Sequence, residues 1–339
     1  MRTKVRYTTW PRGVQMLGGL LIRLDPWDAA YGPEVVAEEE EAPGDVFLDV
    51  EVPQDAWRPV EPVTPFLPSR LVFVDGVRRV EARLVVSGPE VPRAYGALGS
   101  CAAGWVEVSR GAASFGPQYV RRVLILTSGL AAFGPFVVRP DVTYESVSTD
   151  DRDPDAPVHK LQEEMRVLEE TVARRLFQDD RTLVVVDGPL TFAGPSRGSA
   201  VGYIKRIHHF YVRDAGLRLL QELPAGSRTP LFVLRSPRRF ARYSWFVRLV
   251  PPGPLDSPYA GLVRLEVQEA VGLEAARRLA DGTAQVLPRF VQRASADPRI
   301  PQNLSPVAAL EGRLRRALGD LALLRRYIRA RIAQEVGHV

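Results

Sequence analysis

Residues 71–76 read LVFVDG and residues 183–188 read LVVVDG. Each run is too short and too evenly apolar for an amphipathic helix, and its β-branched content favours a buried central strand. Each also ends in Asp-Gly. An Asp closing a central strand is held by rigid backbone and opens onto the sheet edge, so two such strands side by side bring Asp75 and Asp187 together. Asp-Gly is equally the signature of a two-residue hairpin. That reading has force at Asp75, where RRVEARLVV follows at once, and less at Asp187, where Gly-Pro-Leu does not resume an alternating strand.

Working outward, RRVEARLVV alternates like a strand with one wet face, and WVEVS and YVRRVLILTS are further strand candidates. A loop, DDRDPDAP at residues 150–157, precedes a segment that places Leu161, Met165, Leu168, Val172 and Leu176 on one helical face. The order strand, strand, strand, helix, strand, with Asp at the ends of the first and fourth strands, is that of an RNase H core. The expected fold is therefore α/β, an RNase H-like mixed sheet flanked by helices. Glu169 sits about 60° from the centre of the helix's apolar face and Glu170 about 155° away, at roughly 100° per residue. Glu169 is the preferred third carboxylate beside Asp75 and Asp187.

Residues 1–66 are rich in Pro and Trp and carry an acidic run at residues 38–41 and one strand candidate at residues 46–52. They read as a β-rich N-terminal appendage, with Trp10, Trp27 and Trp57 as partner-surface or satellite-core candidates. Residues 67–339 read as one RNase H-like domain. It closes on a C-terminal helical extension in which Leu310, Leu314, Ala317, Leu321, Leu324 and Ile328 recur at spacings of three and four.

With 45% hydrophobic and 25% charged residues the chain reads as an ordinary globular protein. One cysteine excludes an intramolecular disulfide framework, and four histidines without cysteine partners exclude the usual structural zinc patterns, so a bound metal would be oxygen-liganded. No apolar stretch approaches the roughly 20 residues of a membrane span, and the cytoplasm is the expected location. Residues 1–200 hold 22 Lys/Arg against 29 Asp/Glu, whereas residues 201–339 hold 23 against 11. The basic C-terminal part is where a polyanion would bind.

Three converging carboxylates suit two divalent cations acting on a phosphodiester. On these residues the chain resembles the NurA family of prokaryotic nucleases over residues 71–332. The matching pieces are FVDG (73–76), MRVLEE (165–170), VVVDGPL (184–190), GYIKR (202–206) and PQNLSPVAALEGRL (301–314). The resemblance implies manganese-dependent DNA cleavage, with Mg2+ as the alternative ion, as a 5′ to 3′ exonuclease and single-strand endonuclease. It also implies a homodimer, a HerA-type hexameric translocase as partner, and action on single- and double-stranded DNA ends during recombinational repair. Asp75, Glu169 and Asp187 match the family's metal-binding carboxylates. Some members add a Tyr and a His near the C-terminus, and residues 301–314 have neither. Asn303, Ser305, Glu311 and Arg313 are the candidates for a fourth contributor, and spacing does not choose among them.

For substrate binding, Arg235, Arg238, Arg239 and Arg242 are interleaved with Phe240, Tyr243 and Trp245 in RSPRRFARYSWFVR. Arginines suit phosphates and aromatics suit base stacking. Arg238, Arg239, Arg242 and Trp245 are the named contacts. The competing reading is a half-buried strand behind a solvated loop. Lys205 and Arg206, just after Gly202, are read as phosphate contacts near the metals. The competing class of function is a catalytically silent module that binds nucleic acid or regulates a translocase.

Overall fold

A computed structural model describes residues 21–25, 44–62, 68–87, 93–109, 111–130, 135–176, 182–191, 199–237, 239–292 and 302–336. The acidic run at residues 38–41, Trp10, Trp27, Arg238 and Pro301 lie outside them. The strands are β1 (Leu21–Leu24), β2 (Asp45–Phe47), β3 (Arg70–Ser87), β4 (Ala94–Ser109), β5 (Ala112–Phe115), β6 (Tyr119–Leu126), β7 (Phe136–Arg139) and β8 (Val142–Ser148). Helix α1 (Ala156–Arg174) follows, then β9 (Thr182–Asp187), β10 (Ser199–Ile204), α2 (Ala215–Glu222), β11 (Phe232–Ser236), β12 (Arg239–Arg248) and β13 (Leu262–Gln268). Helices α3 (Leu273–Val286), α4 (Ser305–Ala317) and α5 (Leu321–Val336) complete the chain.

One mixed sheet runs β2-β11-β12-β13-β10-β9-β3-β4-β6-β8-β7. At its centre β3, β4 and β6 pair antiparallel, β9 joins β3 in parallel, and β10 joins β9 in parallel. That order, with α1 crossing from the antiparallel half to β9, is the RNase H-like core. Helix α1 covers one face, where Val172, Ala173 and Leu176 pack on Val72, Val74, Val184 and Val186. Helices α3 and α4 cover the other face, burying Leu71, Phe73, Leu183 and Val185 beneath Ala280, Leu310 and Leu314. No helix among the described residues is long and apolar enough to cross a membrane.

Several boundaries differ from the sequence reading. The run at residues 71–76 does not end at Asp-Gly: β3 continues through it, Asp75 facing Gly104 and Gly76 facing Ala103 on β4. The hairpin reading of Asp75 fails because β4 stays alongside, and only the parallel neighbour β9 stops there. The ladder is interrupted between Val80 and Ala82, where Glu81 is the bulged residue. The bulge changes the phase of the strand. Before it, even positions face α1, as at Val72, Val74 and Val80. After it, even positions Ala82, Leu84 and Val86 pack with Leu324 and Ile328 of α5. Glu81 is buried and accepts hydrogen bonds from Ser100 Oγ (2.6 Å) and Tyr144 OH (2.8 Å).

The C-terminal extension is two helices, not one. Gly319 takes φ 82°, a left-handed stop that favours glycine, and Asp320 Oδ1 accepts the Leu323 N–H at 2.8 Å to start α5. The break lets Leu310 and Leu314 enter one core cluster and Leu324 and Ile328 another. The strand candidate at residues 46–52 is shorter than read, only Asp45–Phe47. Within the N-terminal segment, β1 pairs with β3 and β2 with β11, Trp57 is buried, and Glu51 grips the buried Arg228 at 2.8 Å.

Candidate active site

Val74 faces Val186 across the β3–β9 pair, so Asp75 and Asp187 are the next positions on adjacent parallel strands. Their side chains fall on the α4 side, because Phe73, Val77 and Val185 lie in the cluster with Leu310 and Leu314. Tyr203 is the register partner of Asp187 and lies in the same cluster, and Lys205, one residue beyond β10, follows it on that side. Lys205 Nζ contacts Asp187 Oδ2 at 2.7 Å.

The third carboxylate arrives from the opposite face. Glu169 is buried on α1, and a Cβ built on Gly76 would lie 2.5 Å from its Oε1. Gly76 is therefore a requirement of close approach rather than of a turn: the missing side chain is what lets Glu169 reach the Asp75–Gly76 peptide. The Gly76 N–H itself donates to Asp75 Oδ1 at 2.8 Å. Glu170, by contrast, points to Arg174 at 2.7 Å, an ion pair along the helix surface. Beyond Asp187 the chain turns at Gly188, with φ 96°, and the Gly188 N–H donates to the Tyr203 carbonyl at 2.8 Å.

The electrostatics of this cluster are unfavourable to carboxylates alone. Burial, and then the charges of Asp187, Glu169 and Glu311, push the Asp75 carboxyl well above its ordinary range, with Lys205 opposing. Burial disfavours the Lys205 ammonium, yet Asp187, Asp75 and Glu311 together hold it above its ordinary value. Asp187 Oδ1 is buried with no hydrogen-bond partner. Among the described residues no group of three His, Cys, Asp or Glu side chains stands in ready ligand geometry. In charge and chemistry the set still fits a hard divalent cation: all donors are oxygens, one oxygen is unpartnered, and Asp75 lacks sufficient positive charge beside it.

Of the candidates for a fourth contributor, Glu311 is the one whose charge reaches Asp75 and Lys205. It sits next to Leu310, and both Leu310 and Leu314 pack over Gly104, the partner of Asp75. Its Oε1 also holds Arg315 at 2.6 Å. Asn303 and Gln302 instead belong to the segment that brings α4 in: Tyr203 OH donates to the Gln302 carbonyl at 2.7 Å, and the Asn303 carbonyl accepts from Gln292 N–H at 3.1 Å.

The expected binding residues divide. Arg206 is exposed and Arg239 half-buried. Trp245 is fully buried and donates its indole N–H to Thr283 Oγ1 at 3.2 Å, so it packs the core instead of stacking bases. Arg242 is buried beside Glu266, and Arg235 pairs with Glu269 at 3.0 Å. Sequence reading missed Glu266. In LVRLEVQ the alternating Arg264, Glu266 and Gln268 look like a solvent face, but all three are buried beneath neighbouring segments.

Neither a family model nor a curated protein matches the chain. Among the solved structures similar to it are the following three. The NurA nuclease from Sulfolobus solfataricus matches over 83% of this chain and 86% of its own, at 11% identity and a TM-score of 0.42. The catalytic domain of human Endonuclease V matches over 74% and 82%, at 16% identity and 0.30. Endonuclease V from Bacillus subtilis matches over 80% and 86%, at 12% identity and 0.30. All three are nucleases by name.

Proposed function

We propose that this chain is a metal-dependent deoxyribonuclease with Asp75, Glu169 and Asp187 as its metal-holding carboxylates. The observation that supports the reading is the gap at Gly76, where a Cβ would lie 2.5 Å from Glu169 Oε1, next to Asp75, whose neighbour at the end of the adjacent parallel strand is Asp187. Bound there, a divalent cation supplies an activated water and counter-charge for the scissile phosphate. The chain's own residues do the rest. Asp75 and Asp187 fix the ion's position from rigid strand backbone, and Glu169 closes the site from α1. Lys205, protonated and 2.7 Å from Asp187, offers a cation to the substrate phosphate once Asp187 is otherwise engaged. Glu311 adds negative charge from α4, and no nucleophilic side chain is required.

In its finer form the proposal follows the sequence resemblance: Mn2+ or Mg2+ as the ion, 5′ to 3′ exonuclease and single-strand endonuclease activity, a homodimer, and end processing with a HerA-type translocase. The second reading, a silent nucleic-acid-binding module, is favoured by one observation, the Lys205 ammonium already neutralising Asp187. One experiment separates the two: labelled single- and double-stranded DNA, with and without Mn2+, for wild type, Asp75→Ala, Glu169→Gln and Asp187→Ala. Metal-dependent cutting by wild type alone supports the enzyme, and equal cutting by all four, or none, removes it.

A further inference from the structure

Helix α1 sends two side chains of opposite charge to the ends of the central strands. Glu169 goes to β3, into the gap at Gly76. Arg166, three residues earlier and so on the same side of the helix, goes to β9. A Cβ built on Gly188, the residue after Asp187, would lie 3.5 Å from Arg166 Nη1. The two contacts differ in kind. A methyl at Gly76 would collide with Glu169, whereas the Arg166 guanidinium lies over Gly188 at ordinary van der Waals range.

Arg166 forms no hydrogen bond or ion pair among the described residues, although three carboxylates lie within about one helical turn of it. At these spacings an arginine on a helix ordinarily pairs. Here each acid is directed elsewhere: Glu163 to Lys160 at 2.7 Å, Glu170 to Arg174 at 2.7 Å, and Glu169 to the Gly76 gap. The Gln162 amide, a turn earlier, accepts from Arg78. Arg166 is half-buried, so its cation is within reach of solvent at the end of β9.

Lys205 makes the contrast plain. It lies on the α4 side of Asp187 and is already held by Oδ2 at 2.7 Å, so a phosphate engages it only by breaking an ion pair. A phosphate engages Arg166 without breaking one. The planar guanidinium can also present two parallel N–H groups to two phosphate oxygens, which an ammonium cannot.

We propose that Arg166 contacts a backbone phosphate of a nucleic-acid strand crossing the end of β9, so that α1 supplies both an acid for the metal and a cation for the strand. That the strand is a substrate rests on the nuclease reading; that Arg166 takes a phosphate does not. The contact belongs to the α1 side of the carboxylates, where Arg166 offsets their repulsion of a polyanion.

The test is direct binding in chelator. Wild type, Arg166→Gln and Arg166→Lys are titrated with a single-stranded oligonucleotide between about 50 and 200 mM salt. The same oligonucleotide is also used as a set in which one phosphate at a time is replaced by an uncharged methylphosphonate. Arg166→Gln is expected to fold, since it removes no hydrogen bond or ion pair among the described residues. It is expected to bind about 5- to 10-fold more weakly, with a salt slope shallower by about 0.7, as for one lost phosphate contact. Arg166→Lys, a point charge without the fork, is expected to keep the slope and part of the affinity. At one linkage the methylphosphonate is expected to weaken wild type several-fold and leave Arg166→Gln unchanged. Unchanged affinity and slope in Arg166→Gln overturn the proposal, as do equal methylphosphonate losses in wild type and variant at every linkage. A gain in Mn2+ affinity with no change in oligonucleotide binding also overturns it, and assigns Arg166 to offsetting the carboxylates alone. Metal-dependent cutting without the linkage effect removes the contact and leaves the nuclease reading; the linkage effect in a protein that cuts nothing with Mn2+ does the reverse.

Discussion

Replacing Asp75 by Asn removes a buried carboxylate while keeping its shape, and the outcome can be sized from the structure. Asp75 and Asp187 are in-register neighbours on parallel strands. At the usual strand spacing of about 4.8 Å and an effective dielectric near 20, two such charges repel by about 3.5 kcal/mol. Lys205 offsets part of this, so removing the charge in metal-free protein is expected to gain about 2 kcal/mol near neutral pH. An unfolding entropy of roughly 2.1 cal/mol/K per residue over 339 residues converts this to a melting temperature about 3 °C higher. The pH dependence has a definite sign. Unfolded, Asp75 titrates near 3.8, and folded it titrates well above that value. Its contribution to stability is therefore full below the unfolded value and lost as pH rises through the folded one. The advantage of Asp75→Asn should be greatest at neutral pH and vanish toward pH 4. Calorimetry in chelator across that range reads it directly. With Mn2+ or Mg2+ added, the order should reverse, because wild type gains binding energy that the variant lacks. A variant that melts below wild type in chelator at pH 7, or that gains as much from metal, would refute the reasoning.

Gly76→Ala places a methyl 2.5 Å from Glu169 Oε1, so cutting should fall at least tenfold, with a stability loss of about 1–3 kcal/mol seen in denaturant titration. Trp245→Ala should cost about 3–5 kcal/mol, while Trp245→Phe should leave oligonucleotide affinity unchanged, since the indole is core. Lys205→Met should lower stability in chelator and reduce the rate of cutting, measured by melting and single-turnover kinetics, because Asp187 loses its partner at 2.7 Å. Glu51→Gln should cost about 3–5 kcal/mol by leaving Arg228 buried and underpaired, again read by denaturant titration.

The two buried strands and the inward face of α1, with Glu169 buried and Glu170 turned to Arg174, were legible in the sequence because each is a local periodicity with a large apolar contrast. The continuity of β3 through Asp75 and Gly76 was not, since a dipeptide that favours turns is held extended here only by a partner strand some 30 residues away. Arg242 and Trp245 were misleading for a related reason. Alternation marks which face a side chain takes, but whether that face meets water depends on segments elsewhere in the chain, here α3 over Trp245 and neighbouring strands around Arg242. The split between α4 and α5 had a local sign, Leu318-Gly319-Asp320, hidden by leucine spacing that continues across it.

The bulge at Glu81 makes β3 a strand with two reading phases. Upstream, the order of inward and outward positions is set by the need to present Asp75 to one side and the bare Gly76 to the other; downstream it is set by packing against α5. A one-residue slip in an unbroken strand would exchange faces along its whole length. Here the unpaired residue can absorb a gain or loss locally, so the α5-facing half is free to drift in length without inverting the carboxylate half. Deleting Glu81 should therefore leave residues 82–87 on their present faces, with Ala82 following Val80 in plain alternation, and Asp75 and Gly76 in register with β9, an outcome that hydrogen exchange along β3 would resolve strand by strand.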